Sequence, residues 1–119
     1  MVKKILYVED NKDTAEAVKM LLDSEGFETH LAFNGKQGLE KVSPDFDLSL
    51  LDIMLPDMSG WDIFTKLKNL DGYKFIFISA IPVSKERKKQ LKKAGVSGYI
   101  IKPFTKTELI GCIKKCLKN

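Results

Sequence analysis

The stretch Leu48-Ser49-Leu50-Leu51-Asp52 decides the fold, because a nearly continuous apolar run ends there in a carboxylate. The runs Ile5-Leu6-Tyr7-Val8 and Phe75-Ile76-Phe77-Ile78 have the same character. A strand with one face in water alternates apolar and polar residues, whereas a strand covered on both faces of a parallel sheet does not. The sequence therefore predicts buried parallel strands, and runs of this kind place five strands at about 3–8, 28–33, 46–51, 75–78 and 97–101.

Segments with helical spacing separate these runs, for example the segment that contains Ala15, Val18 and Leu22. Residues that commonly cap the start of a helix precede the segments, namely Asn11, Asn34, Ser59, Ser84 and Thr105. Ser59 and Thr105 are each followed three residues later by an acid, which is the spacing of a capping box. The residues predicted to end helices are Gly26, Gly72 and Gly95. Strand–helix units in this succession predict an α/β fold, an open, doubly wound sheet with helices on both faces.

The composition is that of an ordinary globular protein, with 119 residues, 44% hydrophobic and 30% charged. We expect a single domain over residues 1–119. No apolar run reaches the roughly 18 residues of a membrane span, and the apolar start of the chain stops at Glu9-Asp10, so neither a membrane segment nor an export signal is expected. Cys112 and Cys116 lie four residues apart in one predicted helix, which favours reduced thiols and a cytoplasmic location over a disulfide or a zinc site.

The net charge of +4 is unevenly distributed along the chain. Residues 1–84 carry 9 basic and 14 acidic side chains, whereas residues 85–119 carry 11 basic and 2 acidic ones. Arg87 is the only arginine among the 20 basic residues. Because the readout of nucleic acids relies on arginine, we expect no direct binding of nucleic acid by this domain.

The residues that directly follow the predicted strands carry the candidate chemistry. They are Glu9 and Asp10 after the first strand, Asp52 after the third, Ser79 and Ala80 after the fourth, and Lys102 after the fifth. Ligands of such sheets bind beyond the carboxyl ends of the strands, so these side chains should converge there. Neighbouring carboxylates repel one another unless a cation neutralises them, and an all-oxygen donor set favours Mg²⁺ over Ca²⁺. The Ser79 hydroxyl and the Lys102 ammonium could bind the oxygens of a phosphoryl group, and one of the carboxylates could accept that group covalently.

Each of these residues alone also has a structural explanation. Asp10 can cap the following helix, and Asp52 can open a turn. Ser79 can be an ordinary loop serine, and Lys102 can be one more solvated lysine. The joint occurrence of complementary chemistry at four strand ends favours a functional site.

The same residues resemble the receiver domain of two-component response regulators, similar to the single-domain chemotaxis regulators. The motifs that carry the resemblance are Glu9-Asp10, Leu50-Leu51-Asp52-Ile53-Met54-Leu55-Pro56-Asp57-Met58-Ser59-Gly60, Ser79-Ala80 and Tyr99-Ile100-Ile101-Lys102-Pro103-Phe104. The resemblance covers essentially the whole chain. It implies a flavodoxin-like fold with five parallel strands in the order 2-1-3-4-5 and five helices.

The resemblance also implies roles for individual residues. Asp52 would receive a phosphoryl group from the phosphohistidine of a sensor histidine kinase or a phosphotransfer protein. Glu9, Asp10, Asp52 and the backbone carbonyl of Met54 would hold Mg²⁺, and Lys102 would pair with Asp52 or its phosphoryl oxygens. The domain would be a phosphoacceptor that assists its own phosphorylation and dephosphorylation, rather than an enzyme.

A switch and an output surface belong to the same resemblance. Ser79 would bind the phosphoryl group, Tyr99 would turn inward, and Met54, Ala80 and Ile81 would flank the phosphoryl position. The face of the fourth helix (about 84–94), the fifth strand and the fifth helix would control an effector that the sequence does not identify. The few apolar anchors predicted for the fourth helix are Val83, Leu91 and Ala94, which indicates a weakly held, movable helix.

Two other function classes remain open from the residues alone. A phosphatase of the haloacid dehalogenase type also uses an Asp after a strand together with Mg²⁺. It needs a second Asp two residues later, where this chain has Met54. A nucleotide- or flavin-binding module needs a phosphate-cradling loop, and Gly35-Lys36-Gln37-Gly38 is too short for one.

Overall fold

Strands and helices alternate along the chain in a computed structural model that describes residues 2–67 and 73–118. The strands are β1 (Lys4–Val8), β2 (Glu28–Ala32), β3 (Leu48–Asp52), β4 (Lys74–Ser79) and β5 (Gly98–Ile101). The helices are α1 (Lys12–Ser24), α2 (Gly35–Lys41), α3 (Gly60–Leu67), α4 (Lys85–Ala94) and α5 (Lys106–Leu117). The predicted succession of strands and helices is confirmed, and β3 begins two residues later than the apolar pattern indicated.

The strands form one parallel sheet in the order β2-β1-β3-β4-β5. This confirms the doubly wound, flavodoxin-like fold. The order reverses between β1 and β3, which lie side by side with Val8 opposite Leu51. Since the strands are parallel, the residues that follow them all emerge at one edge of the sheet. The edge between β1 and β3 is therefore where this type of sheet binds ligands.

Helices cover the sheet on both faces, which is why its central strands are apolar throughout. All five residues of β3 are buried. One core layer packs α1 and α5 against alternate strand residues such as Ile5 and Leu50. The other packs α2, α3 and α4 against the residues between them, such as Leu6 and Leu51. Each fully buried side chain of this size contributes about 1.5–3 kcal/mol to folding, so the sheet is a rigid support for its edge.

Helix caps occur at the predicted residues. The side chains of Asn11, Asn34, Ser84 and Thr105 each accept a hydrogen bond from a backbone N–H of the first helical turn. Ser59 and Asp62 exchange the two hydrogen bonds of a capping box at the start of α3. Gly26 and Gly95 end α1 and α4 with φ of +93° and +109°, conformations that favour glycine. The stop predicted at Gly72 lies outside the described residues.

The fourth helix buries few of its residues, and one of its predicted anchors needs correction. Leu91 is the only buried residue among the ten of α4. Ala94 was expected to anchor the helix and is exposed instead, because the chain turns at Gly95 and places Val96 in the core. No helix in the described part of the chain has the length and apolarity of a membrane span.

Candidate functional site

Three carboxylates meet at the edge where the strand order reverses. Glu9 and Asp10 directly follow β1, and Asp52 is the last residue of β3. Carboxylate oxygens of the three lie within 4.8 Å of one another. Glu9 is 1% and Asp52 5% exposed, whereas Asp10 faces solvent. The residues predicted to converge from two strand ends are therefore brought together.

Lys102 reaches this group from the end of β5. Its ammonium donates to Glu9 Oε1 and to Asp52 Oδ2, both at 2.7 Å. Its backbone N–H donates to the carbonyl of Ser79 at 2.8 Å, which ties the ends of β4 and β5 together. The Lys102–Pro103 peptide bond is cis. The ammonium thus bridges the two buried carboxylates.

The electrostatics of the site reflect burial and this single ammonium. Burial opposes the charged form of Glu9, but the Lys102 ammonium and the Asn11 N–H outweigh it and lower the pKa of Glu9. Burial is also the largest effect on Asp52, and it raises the pKa of that carboxyl despite Lys102 and the Met54 N–H. A hydrogen bond shared with Glu9 raises the pKa of Asp10. One ammonium therefore does not satisfy three carboxylates.

A chain of hydrogen bonds joins two residues of the predicted switch. Ser79 is 1% exposed, and its Oγ accepts the N–H of Ile81 at 3.0 Å. The Tyr99 hydroxyl donates to the carbonyl of the same Ile81 at 2.9 Å. Ser79 and Tyr99 therefore hold opposite ends of one residue in the β4–α4 loop. Neither side chain donates a hydrogen bond to Asp52.

Of the residues predicted to flank the phosphoryl position, Met54 contacts Asp52, and Ala80 and Ile81 lie in the loop that follows β4. The N–H of Met54 donates to Asp52 Oδ1 at 2.9 Å. The side chains of Met54 and Ile81 are 65% and 54% exposed, so both extend into solvent at the mouth of the site. Ala80 is exposed at the start of the β4–α4 loop. The mouth therefore carries apolar groups and no side-chain hydrogen-bond donor from positions 54, 80 and 81.

Three features of the site were not predicted from the sequence. Tyr7 is fully buried, and its hydroxyl donates to Glu9 Oε1 at 3.3 Å. The position of Tyr7 two residues before Glu9, on the same face of β1, is the signal that could have identified it. Asp57 accepts the first two backbone N–H groups of α2, at 2.7 and 2.9 Å. A side chain at Gly60 would meet the Asp52 carbonyl oxygen at 2.5 Å, so the loop after β3 requires glycine there.

The donor set of this site suits Mg²⁺. Its three carboxylates offer only oxygen ligands, which a hard divalent cation prefers. Three carboxylates and one ammonium leave a formal charge of −2, which matches the charge of the ion.

Comparisons with known proteins give a consistent result. A family model described as the response regulator receiver domain matches residues 5–114. The chain is 38% identical over 118 residues to the transcriptional regulatory protein CusR of Escherichia coli K12, which covers 98% of this chain and 52% of CusR. It is 38% identical over 118 residues to the transcriptional regulatory protein CrdR of Helicobacter pylori, covering 97% and 55%. The chain thus spans about half the length of these curated relatives.

Solved structures share the fold over nearly the whole chain. A CheY-like response regulator receiver domain protein from Methanospirillum hungatei JF-1 has a TM-score of 0.85 at 33% identity, covering 99% of this chain and 95% of that one. The non-phosphorylated HemR receiver domain from Leptospira biflexa has a TM-score of 0.87 at 27% identity, covering 98% and 95%.

Proposed function

This chain belongs to the response regulator receiver domain family of two-component systems, and we propose that Asp52 is its phosphoacceptor. The phosphodonor is the phosphohistidine of a sensor histidine kinase or of a phosphotransfer protein. The observation that carries the proposal is the setting of Asp52, a buried carboxylate bridged by Lys102 within 4.8 Å of two further carboxylates.

The proposed reaction transfers a phosphoryl group to a carboxylate oxygen of Asp52. An oxygen–phosphorus bond forms, the nitrogen–phosphorus bond of the donor breaks, and the released imidazole takes up a proton. Glu9, Asp10, Asp52 and the Met54 carbonyl would hold Mg²⁺, which supplies positive charge beside the transferred group. The Lys102 ammonium already lies 2.7 Å from Asp52 Oδ2, so it supplies a second positive charge to the incoming oxygens.

The hydrogen bonds of Ile81 support a switching mechanism. If the Ser79 hydroxyl turns to a phosphoryl oxygen, it gives up the N–H of Ile81. The carbonyl of Ile81 then moves with the loop, and Tyr99 loses the partner that holds its hydroxyl outward. The loop leads directly into α4, the helix with one buried residue. A local change of charge at Asp52 is thereby transmitted to a weakly anchored surface element.

We propose that the face of α4, β5 and α5 forms the output surface and binds an acidic effector. Exposed lysines dominate α4, so association with an acidic partner should weaken as salt increases. The test is hydrogen exchange with and without beryllofluoride as a phosphoryl mimic. Residues 80–104 should change protection more than α2 and α3, and equal changes would reject this surface.

The remaining properties follow from the same proposal. The domain acts as a regulator and not as a phosphatase, because position 54 offers a methionine where a second acid would be needed. The two free cysteines favour a cytoplasmic location. No direct nucleic-acid contact is proposed for this domain.

The central experiment is phosphorylation by acetyl phosphate with Mg²⁺. Intact mass should increase by one acid-labile phosphoryl group per chain, and chelation of the metal should prevent it. Asp52→Asn should abolish the labelling. Asp13→Asn, which changes an exposed acid in the first turn of α1, is the matched control and should be labelled normally. Persistent labelling of Asp52→Asn would reject the assignment.

A further inference from the structure

A cavity of about 490 Å³ lies among α4, β5 and α5, far along the strands from Asp52. It is lined by Lys74 and Gly98, the first residues of β4 and β5, so it lies toward the amino-terminal edge of the sheet. Its volume is within the range of small-molecule sites. Both cysteines of the chain line it.

The two sulfurs share one wall of this cavity. Cys112 is half-buried and Cys116 is buried one turn later on the same face of α5, and both are free thiols. A side chain at position 98 would come within 2.9 Å of the Cys112 sulfur and 3.4 Å of the Cys116 sulfur. The glycine at Gly98 therefore leaves the space that both sulfurs occupy against β5.

The surroundings of the sulfurs favour one reactive thiolate. The neighbouring Cys112 thiol has the largest effect and lowers the pKa of Cys116, and the charges of Lys74 and Lys115 act in the same direction. The neutral form of Cys116 donates to the carbonyl of Ser97 at 3.4 Å. The hydrogen bond between the two thiols raises the pKa of Cys112.

The rest of the lining is strongly positive. It includes the lysines Lys74, Lys88, Lys92 and Lys115. Among the described residues, no acidic side chain lines the cavity. Lys74 also donates to the backbone carbonyl of Cys116 at 2.6 Å, which places its charge beside this end of α5. Such a cavity concentrates small anions near the sulfurs.

We propose that this cavity is a modification site, in which Cys116 forms a mixed disulfide with a small disulfide that carries carboxylates. The Cys116 thiolate attacks one sulfur of the reagent, and a new sulfur–sulfur bond forms while the original one breaks. The other half of the reagent leaves as a thiolate and takes a proton from water. The protein sulfur is oxidised and the leaving half is reduced, so the small disulfide is the oxidant.

Cys112 does not displace the adduct, for a geometric reason. Side chains four residues apart on a helix have Cβ atoms about 5–6 Å apart. A disulfide needs about 3.5–4.5 Å between them, so closing one would unwind this turn of α5. The mixed disulfide therefore persists until an external thiol reduces it, and it adds a bulky anionic group among α4, β5 and α5.

The test compares two aliphatic disulfides of similar size and opposite charge, the dianion dithiodipropionate and the dication cystamine. Adducts on the intact chain are followed by mass spectrometry. To correct for the intrinsic reactivity of each disulfide, its rate with the protein is divided by its rate with the small neutral thiol mercaptoethanol. We expect one adduct, located on Cys116 by peptide mapping. At low salt the dianion should react at least about fivefold faster than the dication, and about 1 M salt should abolish the preference.

Matched variants separate the cavity from general reactivity. Lys115→Gln should reduce the rate of the dianion about threefold, since this lysine lines the cavity. Lys114→Gln changes the adjacent lysine, which lies 3.9 Å from Glu25 and does not line the cavity, and should leave the rate unchanged. Cys112→Ser should still form the adduct, whereas Cys116→Ala should not. Undiminished reaction of Cys116→Ala, or equal rates for the two lysine variants, would overturn the proposal.

Discussion

Replacing Lys102 with methionine tests the electrostatic design of the site most directly. The side chain of Lys102 is 27% exposed, and its partners Glu9 and Asp52 are 2% and 7% exposed. Removing one member of a buried ion pair costs about 3–5 kcal/mol. Because this lysine is partly solvated, we expect Lys102→Met to lower the free energy of unfolding by about 2–3 kcal/mol in the absence of metal. For a chain of this size that corresponds to a decrease in Tm of about 8–12 °C.

Mg²⁺ should reverse most of this loss, since the ion would neutralise the carboxylates that Lys102 leaves unpaired. A ligand at about 100 times its Kd stabilises a protein by about 2.7 kcal/mol. The ion does not have to compete with an ammonium in Lys102→Met, so its Kd should be lower than in the unmodified protein. Calorimetric unfolding with a chelator and then with increasing Mg²⁺ measures both effects.

The stability of Lys102→Met should change with pH in the opposite direction from the contribution that Glu9 makes to the stability of the unmodified protein. The pKa of Glu9 is lowered, which stabilises the fold above the unfolded pKa, and the stabilisation is lost as pH falls through the folded pKa. Without Lys102, the buried carboxylates bind protons more readily in the folded chain than in the unfolded one. Acidification from pH 7 toward about 5.5 should therefore narrow the difference in Tm between Lys102→Met and the unmodified protein.

The matched control is Lys114→Met, which removes an exposed lysine 3.9 Å from Glu25. Surface pairs of this kind contribute up to about 1 kcal/mol and commonly less, so its Tm should change little and should not depend on Mg²⁺. The reasoning is refuted if Lys102→Met unfolds at the same temperature as the unmodified protein without metal. It is equally refuted if Mg²⁺ raises the Tm of Lys102→Met and the Tm of the unmodified protein by the same amount.

Further expectations concern the buried Tyr7, the half-buried Tyr73 and the mouth of the site. Tyr7→Phe removes the hydroxyl that donates to Glu9 at 3.3 Å and should raise the Kd for Mg²⁺ about threefold, as measured by titration calorimetry. The control Tyr73→Phe removes a hydroxyl that is hydrogen-bonded to Ser49 and should leave this Kd unchanged. An unchanged Kd in Tyr7→Phe contradicts the role of Tyr7. Burial raises the pKa of Tyr73 to about 12, so the stabilisation present below pH 10 should be lost as pH rises through 12, and Tyr73→Phe should remove that part of the alkaline loss in a spectrophotometric and denaturant titration. Met54→Asn or Ile81→Glu should shorten the phosphoryl lifetime after removal of the donor, because each adds a group that can orient water; an unchanged or longer lifetime contradicts the idea.

The local structure could be predicted because its signals are local. Continuous apolar runs mark strands that are covered on both faces, and Ser59 and Thr105 with their acids three residues later mark helix starts. Chain direction in a parallel sheet then places every strand end at one edge, so the gathering of Glu9 and Asp52 was predictable before any coordinates. The anchor assigned to Ala94 failed although the turn at Gly95 was predicted, because the pattern does not show that the residue after the turn, Val96, enters the core instead.

The tertiary structure decided contacts that local signals in the sequence do not specify. The family resemblance implied that Lys102 pairs with Asp52, 50 residues away, but only the structure shows the same ammonium 2.7 Å from Glu9 as well, 93 residues away. The same holds for Tyr99, whose hydroxyl meets the backbone of Ile81 from 18 residues away. Periodicity and capping act over a few residues, because they arise from backbone geometry. Contacts between distant residues depend on strand order, crossover and packing, and these are determined only when the whole sheet has assembled.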